Sequence, residues 1–279
     1  MNHAALKKRL REMVREDVGA KDITTALTPN KKVRAEIIAK EPCTVAGIKE
    51  LDSLFSLFNI KITNSARDGT AVKKNQRTLS LSGNSHDILV VERTALNILS
   101  RMSGIATLTS EILKEARKSS PKIRIAATRK TTPLFGYFEK KAVKVAGGET
   151  HRMGLWDMVL IKDNHLKLFS SITQAVKKAK EKTPNGIQIE IEVTAPEGAL
   201  EAAKAGADII LLDNFTPKRI EKAIALLEKS GLRTGAVLEA SGGIRKENIK
   251  DYAKTGVDVI SLGMLTHSAK AKDFSLKII

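Results

Sequence analysis

From Lys122 onward the chain alternates apolar, strand-like runs with helical stretches, and this alternation limits its fold more than any other feature. The runs read KIRIAATRK (122–130), MVLIKDNH (158–165), IQIEIEV (187–193), DIILLDN (208–214), GAVLEASGG (235–243) and VDVISLG (257–263). Helical patterns fall at 136–147, 171–182, 196–205, 217–230 and 245–255, with helix-ending glycines at Gly206, Gly231 and Gly256. Strands separated by such helices imply βαβ crossovers and a parallel sheet. Six strands predict an incomplete or modified α/β barrel, with a doubly wound open sheet as the alternative. Each run opens apolar and closes on polar, charged or glycine residues, and in a parallel barrel the carboxyl ends of the strands form the active face.

The first hundred residues have a different pattern. An amphipathic helix over 1–16 precedes a turn-rich DVGAKDITT (17–25) and an alternating strand at 33–40. A helix at 48–58, short strands at 60–63 and 77–83, and a long helical stretch at 87–102 follow in α+β fashion. Ser103-Gly104 is expected to break or kink that helix before it resumes over 105–120. The expected division is therefore 1–104 and 105–272, with the segment 273–279, which carries FSLKII, forming a strand that returns to the first domain.

The formal net charge is +17, which attracts nucleic acid, acidic membranes or small polyanions. Aromatics make up only 4% of the chain and the basic residues are scattered, which disfavours a nucleic-acid module. Much of the excess lies on solvated helix faces such as AVKKAKEK (175–182). No apolar run approaches the ~20 residues of a membrane span, and the first residues lack the apolar core of a secretory signal. A single cysteine, Cys43, forms no internal disulfide, fits a reducing cytoplasm, and reads as a buried structural thiol.

The strand ends carry the chemistry. Arg129 and Lys130 close the first run; a guanidinium holds a carboxylate or phosphate in two hydrogen bonds, and lysine adds a compact charge. His151 and Arg152 occupy a glycine-flanked loop before the second run, which Lys162 ends. Glu190 and Glu192 share one face of their strand, and Asp213 closes the next. Inward carboxylates must be paired, hydrated or metal-bound. Mg²⁺, sugar hydroxyls, and salt bridges to Lys130 or Lys162 all satisfy that need. Ser241-Gly242-Gly243, ahead of a predicted helix, and Gly263 on the neighbouring strand have the make-up of a phosphate cradle. Together these groups suit a ligand with phosphates, a sugar and a carboxylate.

The chain resembles the quinolinate phosphoribosyltransferase family in ERTALNILSRMSGIAT (92–107), TRKTTP (128–133), EKKAV and HRMGLWD within 139–157, LIKDNH (160–165), IEIEV (189–193), LLDN (211–214), LEASGGI (238–244) and DVISLGMLTHS (258–268). DITT (22–25) matches as well, so the likeness covers nearly the whole chain in the family's order. The resemblance implies an N-terminal α/β sandwich and an incomplete, roughly seven-stranded α/β barrel, arranged as a homodimer in which the N-terminal domain of one subunit covers the other's barrel. It implies transfer from phosphoribosyl pyrophosphate to quinolinate, yielding nicotinate mononucleotide, pyrophosphate and CO₂ with Mg²⁺.

By the same likeness Arg129, His151, Arg152 and Lys162 grip the quinolinate carboxylates, joined by Arg93 from a partner subunit. Thr128 and Lys130 meet the pyrophosphate end of the sugar donor; Glu192 and Asp213 hold ribose hydroxyls and hydrated Mg²⁺. Ser241, Gly242, Gly243 and Gly263 cradle the 5′-phosphate, with His267 close by, and Lys130, Lys162, Glu192 and Asp213 form the catalytic set. After TRKTTP the family continues with glycine, an apolar residue and arginine, whereas this chain has Leu134-Phe135-Gly136, and GGG becomes Ala146-Gly147-Gly148. Three rivals compete: a nicotinate phosphoribosyltransferase releasing no CO₂, a molybdenum-transport-associated homologue, and a non-catalytic basic RNA-binding module. The paired Arg129 and His151-Arg152 favour a two-carboxylate substrate over the first, and the full HR…LIKDNH text argues against the second.

Overall fold

The computed structural model describes residues 1–279. In chain order it begins with α1 (His3–Val18), β1 (Lys32–Ala39), β2 (Cys43–Thr44), α2 (Ile48–Ser56), β3 (Lys61–Ser65), β4 (Ala71–Val72), β5 (Arg77–Asn84) and α3 (Ser85–Arg117). It continues through β6 (Arg124–Ala126), α4 (Gly136–Val145), β7 (Val159–Ile161), α5 (Asp163–Leu166), α6 (Ile172–Lys182), β8 (Ile189–Val193), α7 (Pro196–Ala205) and β9 (Ile209–Asp213). The last elements are α8 (Pro217–Lys229), β10 (Val237–Ser241), α9 (Ile249–Ala253), β11 (Val259–Ser261), α10 (Met264–His267) and β12 (Phe274–Ile278). The chain forms two units: Met1–Ser110, Thr132–Gly147 and Ser268–Ile279 make one, and Glu111–Thr131 with Gly148–His267 make the other.

The first unit is built on an antiparallel sheet in the order β12-β1-β5-β3. Period-two alternation buries Ala35, Ile37 and Ala39 of β1 on one face. The carboxyl-terminal strand lies along the same strand, with Ala35 opposite Ile278 and Ala39 opposite Phe274. Cys43 is buried in this unit, and burial pushes its thiol up to about 11, which leaves it an inert apolar contact. Helix α4 stands between two strands of the parallel sheet in sequence, yet it belongs to this unit. Its buried Glu139 accepts from Arg101 Nη2 at 2.8 Å and from the Thr132 backbone N–H at 2.9 Å, and Lys141 pairs with Glu50 at 3.4 Å.

The expected break at Ser103-Gly104 is absent: α3 runs from Ser85 to Arg117. Its buried residues Ile88, Val91, Ala95, Leu99, Met102 and Ala106 keep helical spacing through the pair. Both residues have a different use. The Ser103 hydroxyl accepts from the Ala46 backbone N–H at 3.1 Å. At Gly104 an added Cβ would run into the Lys270 carbonyl, 2.9 Å from its carbon and 3.1 Å from the Ala271 Cα. Glycine is there to admit another backbone, and the buried stripe on either side holds the helix together.

The second unit carries the parallel sheet, in the order β6-β11-β10-β9-β8-β7. Six strands pair, one fewer than the roughly seven expected. The seventh position is a single bridge between Glu149 and Ala126, on the free side of β6. That segment is short because the chain enters it from a turn at Gly147 (φ 87) and leaves it at His151 (φ 50). The crossover helices are delimited much as their sequences suggest. Ser171 and Thr216 cap α6 and α8, Pro196 and Pro217 open α7 and α8, and Gly206 closes α7 in the left-handed conformation. Helix α9 is shorter than expected, beginning only at Ile249.

Two substitutions test this reading. Gly104→Ala is expected to lower the thermal midpoint, because the cost of overpacking, about 1–3 kcal/mol, outweighs alanine's helix-propensity gain of about 1 kcal/mol; an unchanged or raised midpoint would refute the close-approach role. Leu134, 75% exposed, has φ 64, a conformation costing a side chain about 1–2 kcal/mol. Leu134→Gly is expected to hold or raise the midpoint even though glycine gains unfolded-state freedom, and a clear loss would show that the leucine side chain is needed.

Candidate functional site

In a parallel sheet, residues in register point to the same face, and alternation repeats that face every second residue. Leu160 pairs with Glu190, Glu192 with Leu211, and Leu211 with Glu239; Ser241 pairs with Asp213, and Ser261 with Ala126. Carried two residues onward, this register sets Lys162, Glu192, Asp213, Ser241, Gly263 and Thr128 at the carboxyl ends of six neighbouring strands, all on one face. Glu190 and Glu239 lie one step deeper on that face.

That face is the inside of a rolled sheet. His151 follows the Glu149 bridge, which is five strand positions from β8. Flat, those positions would span roughly 24 Å at the usual strand spacing. Instead His151 Nε2 lies 3.1 Å from Glu190 Oε2 and 3.4 Å from Glu239 Oε2. The imidazole, which the sequence reading turns toward an acid ligand, is drawn into the interior by two buried carboxylates. Burial alone would lower its pKa, but hydrogen bonding and charge from Glu190 and Glu239 outweigh that and push it up to about 9. His151 is therefore an imidazolium at neutral pH.

Above this cluster the rim holds charges of both signs. Lys162 Nζ sits 3.4 Å from Glu192 Oε2, which is the salt bridge anticipated as one resolution of the inward carboxylate. Burial raises the Glu192 pKa and the nearby Asp213 charge adds to that, while Lys162 opposes both. Arg152 is buried, and its pKa is lowered first by that burial and then by the neighbouring Arg129 charge. Two guanidiniums thus act on one another here, and the Glu190 charge offsets part of that repulsion. Arg129, Lys130 and His267 are exposed.

The glycine turns complete the rim. Strands β10 and β11 are neighbours, so the Ser241–Gly243 turn and Gly263 stand side by side. Gly242 (φ 89) lies against the Asn214 side chain, which donates to Asp213 Oδ2 at 2.7 Å. Gly243 (φ 65) faces open space, so its backbone is accessible to a ligand. Over Gly263 pack the Lys130 stem, 2.8 Å from where a Cβ would be, and the His267 ring at 3.1 Å. Thr266 Oγ1 donates to the Lys130 carbonyl at 2.6 Å, fixing that approach. The helix N-terminus expected behind the Ser241 turn is not at hand, since α9 starts at Ile249; α10 does begin directly after Gly263. Arg93 lies outside this unit, exposed on α3.

Two groups escaped the sequence reading. Glu239 stands two residues before Ser241 and so shares its face, a signal available from parity alone. Asn214, at φ 54, had no such signal beyond its position after Asp213.

The chain matches the quinolinate phosphoribosyl transferase N-terminal domain over residues 22–103 and the C-terminal domain over residues 105–277. It is 46% identical over 271 residues to a probable nicotinate-nucleotide pyrophosphorylase (carboxylating) of Methanothermobacter thermautotrophicus, covering 96% of this chain and 97% of that protein. The human nicotinate-nucleotide pyrophosphorylase (carboxylating) is 36% identical over 265 residues, covering 95% and 89%. The solved structure of the nicotinate-nucleotide pyrophosphorylase from Francisella tularensis superposes with a TM-score of 0.92 at 36% identity, covering 100% of this chain and 98% of that one. Matched along almost its whole length by both domains and by these relatives, the chain belongs to the quinolinate phosphoribosyltransferase family.

Proposed function

We propose that this chain transfers the phosphoribosyl group of phosphoribosyl pyrophosphate to quinolinate and releases CO₂, giving nicotinate mononucleotide and pyrophosphate for de novo NAD biosynthesis. The observation that carries the reading is the shared rim: Lys162, Glu192, Asp213, the Ser241–Gly243 turn and Gly263 at strand ends of one face, with Arg129 following Thr128 there and its charge acting on Arg152. A substrate with two carboxylates needs that density of cations, and the sugar donor needs both the carboxylates and the turns. Nicotinate has one carboxylate to offer the Arg129–Arg152 pair, whereas quinolinate has two. An RNA-binding module would have no use for inward carboxylates.

In this reading Arg129, Arg152 and Lys162 hold the acid, helped by Arg93 of a second copy in a homodimer. Lys162 leaves Glu192 for a substrate carboxylate, and Glu192 is released to face the ribose. Glu192 and Asp213 fit Mg²⁺: both are rim carboxylates on adjacent strands, close enough for one charge to act on the other. The ion, when bound, neutralises phosphate charge. Thr128 and Lys130 meet the pyrophosphate, and Ser241, Gly242, Gly243 and Gly263, with His267 nearby, meet the 5′-phosphate. The ring nitrogen forms a bond to the anomeric carbon as the bond to pyrophosphate breaks, and Lys130 offsets the charge on the leaving group. Glu192 and Asp213 stabilise positive character on the ribose. The carbon–carbon bond to the adjacent carboxylate then breaks; the electron pair stays on the ring carbon, stabilised by the cationic nitrogen, until a proton replaces CO₂. Most of the acceleration comes from positioning and electrostatics. The buried lone thiol of Cys43 fits the cytoplasm.

Lys162→Ala and Arg152→Ala are each expected to lower kcat/KM for quinolinate by about 100-fold or more, on the scale of losing a charge-assisted contact, with unfolding midpoints close to that of the parent. Parent-like turnover in either would sink the assignment. Mixing Arg93→Ala with Lys130→Ala protein under subunit exchange is expected to restore activity that neither has alone; no gain over the separate variants would argue against a shared site.

A further inference from the structure

Glu190 and Glu239 have no part in the reaction above, yet they are among the most buried charged groups of the chain, at 0% and 2% exposure. Both approach one atom, His151 Nε2, at ion-pair distance, while Nε2, both oxygens of Glu190 and Oε1 of Glu239 have no hydrogen bond of good geometry. Apolar residues in their place would stabilise the barrel at least as well, so the pair calls for a reason besides stability. The backbone of His151 supplies one. Its φ of 50 puts a non-glycine residue in the left-handed region, a conformation that persists only when its surroundings impose it. The next residue is Arg152, buried beside the Arg129 charge, with Glu190 in its field.

We propose that Glu190 and Glu239 are positioning residues that hold the His151 imidazolium inside the barrel and so fix the strained turn from which Arg152 meets the acid substrate. The proposal rests on the reading of Arg152 as an acid-binding residue. A neutral imidazole brings no charge to the pair, and burial together with the Glu239 charge already pushes the Glu190 carboxyl above the usual range. The imidazolium offsets charge, so the turn is held by attraction from two sides of the barrel. Glu239 acts on the turn through His151, and Glu190 acts both through His151 and through its own charge on Arg152.

Glu239→Gln keeps the shape and an acceptor while removing the charge. The expected result is a rise in KM for quinolinate of about tenfold, the equivalent of about 1.4 kcal/mol, with KM for phosphoribosyl pyrophosphate within about twofold, a split that general loosening of the barrel would not give. The second readout needs no substrate: ¹⁵N spectra of the His151 ring at pH 7. Both ring nitrogens are expected to be protonated in the parent, and a neutral tautomer is expected in Glu239→Gln and in Glu190→Gln. Parent-like KM for quinolinate in Glu239→Gln overturns the proposal, as does a neutral His151 in the parent. A stoichiometric metal ion lost on Glu239→Gln also overturns it, since the three side chains would then be ligands. Should the variants not fold, the parent spectrum decides. Absence of quinolinate turnover in the parent would instead defeat the functional reading, and the ring spectrum separates that failure from this one.

Discussion

Parallel strand pairing is the constraint on which the catalytic unit depends. Two parallel neighbours cannot be joined by a tight turn, so each crossover brings the chain back to the same end of the sheet. The carboxyl ends of β6 to β11 are therefore gathered at one rim, whatever residues they carry. Period-two alternation then decides which of those residues look inward. Lys162, Glu192, Asp213, Ser241 and Gly263 meet because their parity in the register agrees, across more than a hundred residues of chain. Rolling the sheet adds the contribution of the loop after Glu149, which a flat sheet would hold far from β8.

The interior charges then set the character of the rim. An imidazolium against two carboxylates occupies the space where a barrel core is usually apolar. One layer above, Lys162 and Glu192 face one another at 3.4 Å. Beside them the Arg129 and Arg152 guanidiniums are near enough for one charge to act on the other, with Glu190 opposing that repulsion. The net charge of +17 plays little part in this. Much of it lies on helix faces such as α6, where Lys178 pairs with Glu181 in solvent, and exposed pairs of that kind contribute little.

Where local chemistry fixes the local structure, the sequence is easy to read. Helix α7 is bounded by Pro196 and Gly206 as the text suggests, and the strand at 274–278 shows its alternation openly. The parity of Glu192, Asp213 and Ser241 was likewise legible. Gly104 was not, because a glycine in a helix reads the same whether it ends the helix or admits a neighbouring backbone; only the position of Lys270 distinguishes the two. The destination of the His151 ring was hidden for a related reason. It depends on the roll of the sheet across five strand positions, a property of no single segment. Leu134 was recognisable as a departure from glycine, but its φ of 64 turns that departure into a statement about backbone strain.

The central claim is that one rim joins a dicarboxylate to a phosphoribosyl donor and that loss of a carboxylate accompanies the transfer. The most direct measurement supplies quinolinate labelled in the carboxylate next to nitrogen, together with phosphoribosyl pyrophosphate and Mg²⁺, and follows labelled CO₂ and nicotinate mononucleotide in the same reaction. The account predicts the two in equal amounts from quinolinate, none from nicotinate, and no product once Mg²⁺ is chelated. Nicotinate mononucleotide formed from nicotinate at a rate matching that from quinolinate would contradict it.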